Sequence, residues 1–156
     1  MSPITIRAAL TAEAEALSAL CFRSKAYWGY DADFMERVRG ELTITPEAIA
    51  TGRVLAALDG AGRLLGMASV APLATPGDFD LVHMFVDVGV MRIGAGRALF
   101  FAAAARARAE GARRLVILAE PNAAAFYRRL GASDAGMAPS DSLPGRMLPL
   151  LHYALD

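Results

Sequence analysis

The stretch from Leu81 to Glu110 limits the fold more than any other part of the chain. An apolar run, Leu81 to Val86, meets a short connection holding Gly94-x-Gly96, and an alanine-rich helical segment starts at once. A strand, a glycine turn and a helix in that order form the first half of a parallel crossover, which requires a sheet with helices packed on it. The same order has a chemical consequence. The first turn of a helix carries N–H groups without intrahelical partners, and its dipole favours negative charge. Glycine there lets a ligand approach the backbone, so the segment suits an anion, above all a phosphate.

Composition narrows the setting. At 156 residues the chain is expected to be one domain, 1–156, able to bury a core without disulfides or metals. The single cysteine, Cys21, excludes an intrachain disulfide and fits a reducing compartment. No apolar run is long enough for a bilayer, since even Ala98 to Ala105 is stopped by Arg106. The start, Met1-Ser2-Pro3-Ile4-Thr5, has no basic region followed by an apolar stretch. A cytoplasmic location with no membrane partner is therefore expected. A net charge of zero gives no bulk attraction to nucleic acid. Two isolated histidines without ligand spacing predict no metal site.

The remaining elements follow from pattern. Ile4 to Arg7 alternates as a strand, and Thr11 is placed to cap a helix to about Arg23 with Ala16, Leu17 and Leu20 inward. After the aromatic cluster Ala26-Tyr27-Trp28-Gly29-Tyr30, Asp31 is placed to cap a second helix. Pro46 opens a short helical or irregular piece. Val54 to Asp59 and Arg63 to Val70 read as a hairpin around Gly60-Ala61-Gly62. Phe79 to Asp87 is a strand, Gly94 to Glu110 a helix closed by Gly111, and Arg113 to Leu118 a buried strand. A helix from near Asn122 to Gly131 and a last strand, Leu148 to Leu155, complete an order of β-α-α-β-β-β-α-β-α-β-β. Two parallel-type crossovers around a central hairpin predict a mixed α/β sheet with helices on both faces. Most of the arginines at 106, 108, 113, 114, 128 and 129 read as solvated helix faces and helix ends, the alternative being that one or two reach a polyanionic ligand beside the glycine turn.

Which phosphate the turn would take depends on its surroundings. A Walker loop needs Gly-Lys-Ser/Thr entering the helix, but Gly96 is followed by Arg97-Ala98. A dinucleotide fingerprint needs a third glycine, and Leu99 stands there. A third pattern covers more of the chain. Val86-Asp87-Val88, then Met91-Arg92-Ile93-Gly94-Ala95-Gly96, then Asn122-Ala123-Ala124-Ala125-Phe126-Tyr127-Arg128-Arg129-Leu130-Gly131-Ala132 follow one another with a strand between. This resembles the core of the GNAT superfamily, the acyl-CoA-dependent N-acetyltransferases. Val88 stands where that family's pattern has proline, Met91 where it has Gln or Arg, and Arg92-Ile93 where it often has Gly followed by a basic residue.

The resemblance implies a single GNAT-like domain with a mixed, splayed sheet, and acetyl-CoA as co-substrate with no metal. It implies that the amides of Met91, Arg92, Ile93, Gly94, Ala95, Gly96 and Arg97 hold the pyrophosphate. The main chain of Phe85 and Val86 would pair with the pantetheine arm, and Asn122 would contact that arm as well as serving as an N-cap. Tyr127 would place its hydroxyl near the thioester sulfur as general acid, against the plainer alternative that it packs with Phe126. His83 is the first candidate for the base that deprotonates the amine, with Asp80, Glu120 and His152 behind it and a satisfied strand histidine as the alternative.

Tyr27, Trp28 and Tyr30 would form an aromatic wall for the acceptor, with Asp31 or Asp33 receiving its charge. Core packing and a helix cap are the alternative. The loop Ser140 to Arg146 would cover the pocket. The expected function is transfer of an acetyl group to a primary amine of a small molecule by direct attack in a ternary complex. A non-catalytic acyl-CoA sensor and a protein N-acetyltransferase stay open, as does a homodimer.

Overall fold

The computed structural model describes residues 3–90 and 93–155. Strand β1 (Thr5–Ala8) leads through a 3-10 turn into helices α1 (Ala14–Ala26), α2 (Ala32–Val38) and α3 (Pro46–Ala50). Strands β2 (Val54–Leu58), β3 (Leu64–Pro72) and β4 (Asp78–Val86) precede helix α4 (Ala95–Ala109). Strand β5 (Arg114–Leu118), helix α5 (Ala124–Arg129) and strands β6 (Ser133–Pro139) and β7 (Met147–Ala154) follow. The strands hydrogen-bond in the order β1-β2-β3-β4-β5-β7-β6, a mixed α/β sheet as the sequence predicts. The chain forms two compact units, Met1–Ser69 with His83–Ala103 and Val70–Val82 with Ala104–Asp156.

In the first unit the buried stripe of α1 is Leu17, Leu20, Cys21 and Ser24, the three- and four-residue spacing of a helix with one apolar face. Ala16, expected inward, is exposed because it lies off that stripe. The stripe packs with Met35 and Val38 of α2, Ile49 of α3 and Ala56 and Met67 of the hairpin, and Phe85 lies against this core. All five residues of β2 are buried, so both of its faces are covered. Asp31 caps α2 by accepting from Phe34 N at 2.8 Å, a contact worth about 1 kcal/mol. Thr11 caps nothing: the first turn begins one residue earlier, where the Glu13 carboxylate accepts from Leu10 N at 2.8 Å and pairs with Arg7.

The second unit is built on alternation. Leu115 and Ile117 of β5 are buried, and Leu148 and Leu151 of β7 join them with Ala124 and Tyr127 of α5. Edge strand β6 is almost wholly exposed and carries a bulge at Asp134/Gly136, a device that keeps an edge from pairing further. Arg114 holds Asp78 with two bonds of 3.1 and 2.7 Å.

One expectation of topology fails. Strands β4 and β5 pair in parallel as expected, whereas β1 and β2 are antiparallel. Apolar periodicity does not carry direction. Three helices, α1, α2 and α3, lie between β1 and β2, whereas the single helix α4 lies between β4 and β5.

Candidate active site

The turn that follows β4 is shaped by one glycine. Gly94 has φ +95°, a conformation that other residues rarely adopt, and its carbonyl accepts the first helical bond of α4 from Ala98 N at 3.1 Å. It is therefore the N-cap, with Ala95 buried behind it. Gly96 lies in the first helical turn, where the absence of a side chain leaves the backbone open to approach. Ile93 is exposed, and Arg97 extends outward over the Phe101 ring at 5.0 Å. Met91 and Arg92 lie outside the described residues.

Upstream, the end of β4 is fastened by side chains from α1. Arg23 donates to Asp87 through Nε at 2.9 Å and a terminal nitrogen at 2.8 Å, and Ser24 Oγ donates to the Val86 carbonyl at 2.9 Å. Asp87 N donates to Leu65 O at 2.7 Å, so the Asp87 amide turns toward β3. By strand alternation the backbone polar groups of Val86 turn to the opposite edge and those of Phe85 back to β3. The register with β3 is tight: a Cβ on Gly66 would lie 2.6 Å from the Phe85 carbonyl oxygen and 3.0 Å from Leu99. The Asp87 carboxyl is held below the usual range chiefly by Arg23, against the opposing effect of its burial. The Asp87 side chain also accepts from Val88 N at 2.9 Å, opening the short 3-10 turn Val88–Val90. These polar residues were missed in the sequence, because nothing local marks a pairing across more than sixty positions.

His83 sits on β4 between two partners. Its Nδ1 lies 2.7 Å from Ser69 Oγ and its Nε2 lies 2.6 Å from the Glu41 carbonyl oxygen. A carbonyl only accepts, so Nε2 carries the hydrogen and Nδ1 accepts from the serine hydroxyl. Burial is the main cause that pushes this imidazole below its ordinary pKa, so it is neutral at pH 7.

The aromatic segment divides into two. Tyr27 and Trp28 meet edge to face at 5.3 Å and stay 55% and 43% exposed after the end of α1. Tyr30 instead stacks on Phe34 at 4.3 Å, with Lys25 Nζ 5.2 Å from its ring centre. Asp31 is engaged as the α2 cap, and Asp33 is exposed in the first turn of that helix.

In the second unit, Asn122 lies inside a 3-10 turn, Pro121–Ala123, whose N-cap is Glu120. Asn122 is therefore not the N-cap expected, because Pro121 starts the turn one residue earlier. Tyr127 is buried on α5, edge to face with Phe126 at 5.2 Å, and burial pushes its phenol up. Glu120 is engaged by Arg146 at 3.3 Å, which ties down the loop that was expected to act as a cover. His152 Nδ1 accepts from Arg114 at 3.2 Å, and its pKa is lowered by burial and by that arginine. Asp80 is partly buried, and its carboxyl is raised by that burial and by Asp141. The other arginines behave as solvated surface groups: Arg106 pairs with Glu110 and Arg128 with Asp134.

Among the described residues no helix is long and apolar enough to cross a membrane, and no group of three acidic, histidine or cysteine side chains is placed to hold a metal. Among curated proteins no sequence matches. Solved structures do. The PaiA N-acetyltransferase of Thermoplasma acidophilum in complex with coenzyme A superposes with a TM-score of 0.75 at 14% identity, over 97% of this chain and 99% of that one. The phosphinothricin acetyltransferase of Sinorhizobium meliloti in complex with acetyl-CoA gives 0.72 at 18% identity, over 97% and 88%. The N-acetylglutamate synthase of Neisseria gonorrhoeae, complexed with coenzyme A and N-acetyl-glutamate, gives 0.72 at 20% identity. Here the match covers all of this chain but only 36% of that one, so this chain spans about a third of that protein's length. At such identities these likenesses show a shared fold. Residues 36–136 also match the sequence pattern of the acetyltransferase (GNAT) domain, and the chain accordingly belongs to the GNAT acetyltransferase family.

Proposed function

We propose that residues 1–156 act as one N-acetyltransferase domain that moves an acetyl group from acetyl-CoA to a primary amine of a small molecule by direct attack in a ternary complex. One observation carries the reading. Gly94 caps α4 with a positive φ at the end of the connection from β4, where the amides of a first helical turn can meet an anion. The amides of residues 91–97 would hold the pyrophosphate. The Val86 N–H would meet the pantetheine arm, with Phe85 keeping the strand's register on β3 and Asn122 adding a polar contact to the arm. Acetyl-CoA or coenzyme A bound to structures of the same fold supports this assignment.

The neutral amine nitrogen attacks the thioester carbonyl carbon, the C–N bond forms, the C–S bond breaks, and coenzyme A leaves as thiolate. A backbone N–H aimed at the developing oxyanion lowers the barrier. Tyr127, raised by burial, keeps its proton at neutral pH and donates a hydrogen bond to the departing sulfur. Complete transfer from a phenol to a thiolate of ordinary pKa about 8.5 runs uphill, so the thiol takes its final proton from water. The amine proton goes to His83, whose neutral Nδ1 is reached through the Ser69 hydroxyl. Asp80 is a second acceptor, favoured by the rise in its carboxyl pKa. The acceptor amine meets Tyr27, Trp28 and Tyr30, with Tyr27 and Trp28 presenting open ring surface.

A non-catalytic acyl-CoA sensor is the second reading, favoured by the full engagement of both His83 nitrogens. Thermal shift with acetyl-CoA, coenzyme A and longer acyl-CoAs, followed by thiol release with an amine panel, tests both. Binding with turnover supports the enzyme. Binding without turnover supports the sensor, and no binding defeats both. With turnover in hand, loss of the acid limb of the rate profile in His83→Gln but not Asp80→Asn assigns the proton acceptor.

A further inference from the structure

We infer that Arg23 and Ser24 of α1 are positioning residues for the cofactor, acting as a two-point clamp that sets the Val86 peptide and the turn after it before any ligand arrives. The inference rests on the reading of acetyl-CoA at the end of β4 and deepens it. Three bonds make the clamp. The planar guanidinium of Arg23 grips both oxygens of the Asp87 carboxylate at 2.9 and 2.8 Å, a geometry that fixes orientation as well as distance. Ser24, the next residue along α1, reaches the Val86 carbonyl at 2.9 Å. Consecutive residues of one rigid helix therefore hold consecutive residues of the chain just before the glycine turn.

Each bond has a separate effect. The Val86 carbonyl points to the edge of β4 away from β3, the edge on which the pantetheine arm would pair. With the Ser24 hydroxyl on that carbonyl, the Val86 peptide cannot rotate without losing a hydrogen bond at a buried serine. That fixed plane holds the Val86 carbonyl and the Asp87 N–H, which donates to Leu65 O, so the backbone at Val86 is held in place. Its own N–H, in the preceding peptide, stays by strand alternation on the edge away from β3 as a donor for the arm. The Asp87 carboxylate passes the constraint onward by accepting from Val88 N at 2.9 Å, while its carbonyl accepts from Val90 N at 3.1 Å. The path into the glycine turn is thus fixed from α1, four positions upstream of the residues that would face the pyrophosphate. Val88 stands where the family pattern places a conformationally restricted proline, and the clamp supplies that restriction from outside the turn.

The test uses the full chain with Arg23→Gln, Arg23→Lys, Ser24→Ala and Ser24→Thr. Calorimetric titration with acetyl-CoA is run beside thiol-release kinetics and amide hydrogen exchange across residues 86–90. Arg23→Gln and Ser24→Ala are expected to raise the acetyl-CoA Kd about tenfold, the scale for loss of a hydrogen bond to a charged or buried group. They should also speed exchange at 86–90 and leave the amine KM near the wild-type value. Ser24→Thr, which keeps the hydroxyl, should restore binding, and Arg23→Lys, which keeps charge but not the fork, should restore it only in part. A role in stability alone would lower the melting temperature without this split between the two KM values. Wild-type Kd in both Arg23→Gln and Ser24→Ala overturns the clamp. Failure of the wild-type chain to bind acetyl-CoA instead overturns the functional reading beneath it.

Discussion

The two segments that carry the family's motifs are held in opposite ways. In the first, polar side chains from α1 hold Val86 and Asp87, and Gly94 takes a positive φ at the start of α4. The second, from Asn122 to Gly131, is fixed by burial: neither its 3-10 turn nor α5 has a side-chain cap, and Ala124 and Tyr127 anchor it in apolar surroundings. A segment that offers its own amides to a ligand has to be held from behind by other groups. A segment that offers one side chain needs only a packed seat for its backbone. Substitutions in the first should therefore act on cofactor affinity, and those in the second on turnover.

The sharpest way to break this contrast is Gly96→Glu. A carboxylate in the first turn of α4 would stand where the pyrophosphate is proposed to lie and repel it. Acetyl-CoA binding should fall more than 10²-fold, beyond the range of calorimetric titration, while an acidic residue at a helix start costs no stability. Wild-type affinity would remove the anion from this turn. Tyr127→Phe should do the reverse, lowering kcat about 10²-fold with acetyl-CoA Kd little changed. Unchanged turnover would leave Tyr127 as a packing residue beside Phe126.

A third change sharpens the first half of the contrast without touching any polar group. Gly66→Ala places a methyl group 2.6 Å from the Phe85 carbonyl, closer than backbone and side chain tolerate. Strands β3 and β4 have to shift, at a cost of about 2 kcal/mol in urea unfolding. Because the same shift moves Val86, acetyl-CoA affinity should fall in parallel. Stability lost with affinity retained would show that the register of β4 on β3 does not govern the site.

These residues also mark how far the sequence could be read. Gly94-x-Gly96 is legible because glycines between an apolar run and a helix start leave the backbone open to a ligand. Asp31 was legible because a cap acts three residues away. The Arg23–Asp87 and Ser24–Val86 bonds join positions 64 and 62 apart, and no periodicity connects them. The direction of β2 is not legible for a related reason, since apolar pattern records which face is buried but not which way the strand runs. Asn122 does not take the N-cap role that its residue type suggests, because Pro121 begins the turn before it.

The smallest effect tests whether His83 belongs to the chemistry or to the scaffold. Its Nε2–H holds the Glu41 carbonyl in the connection after α2, and its Nδ1 accepts from Ser69 on β3, so the imidazole joins three parts of the first unit. Burial lowers its pKa in the folded chain below the unfolded value of about 6.5. Below that pH the unfolded chain binds the proton more readily than the folded one, so stability falls as pH drops and is level above it. His83→Gln can still accept from Ser69 and donate to Glu41. It should lose about 1 kcal/mol or less at pH 7.5, and this site's part of the acid dependence should vanish. Unfolding curves at pH 7.5 and 5.5 check this. If that dependence survives in His83→Gln, burial of this imidazole is not its source. If it disappears while turnover at pH 7.5 is unchanged, the ring is a tie between β4 and the segment after α2, and the amine proton leaves by Asp80.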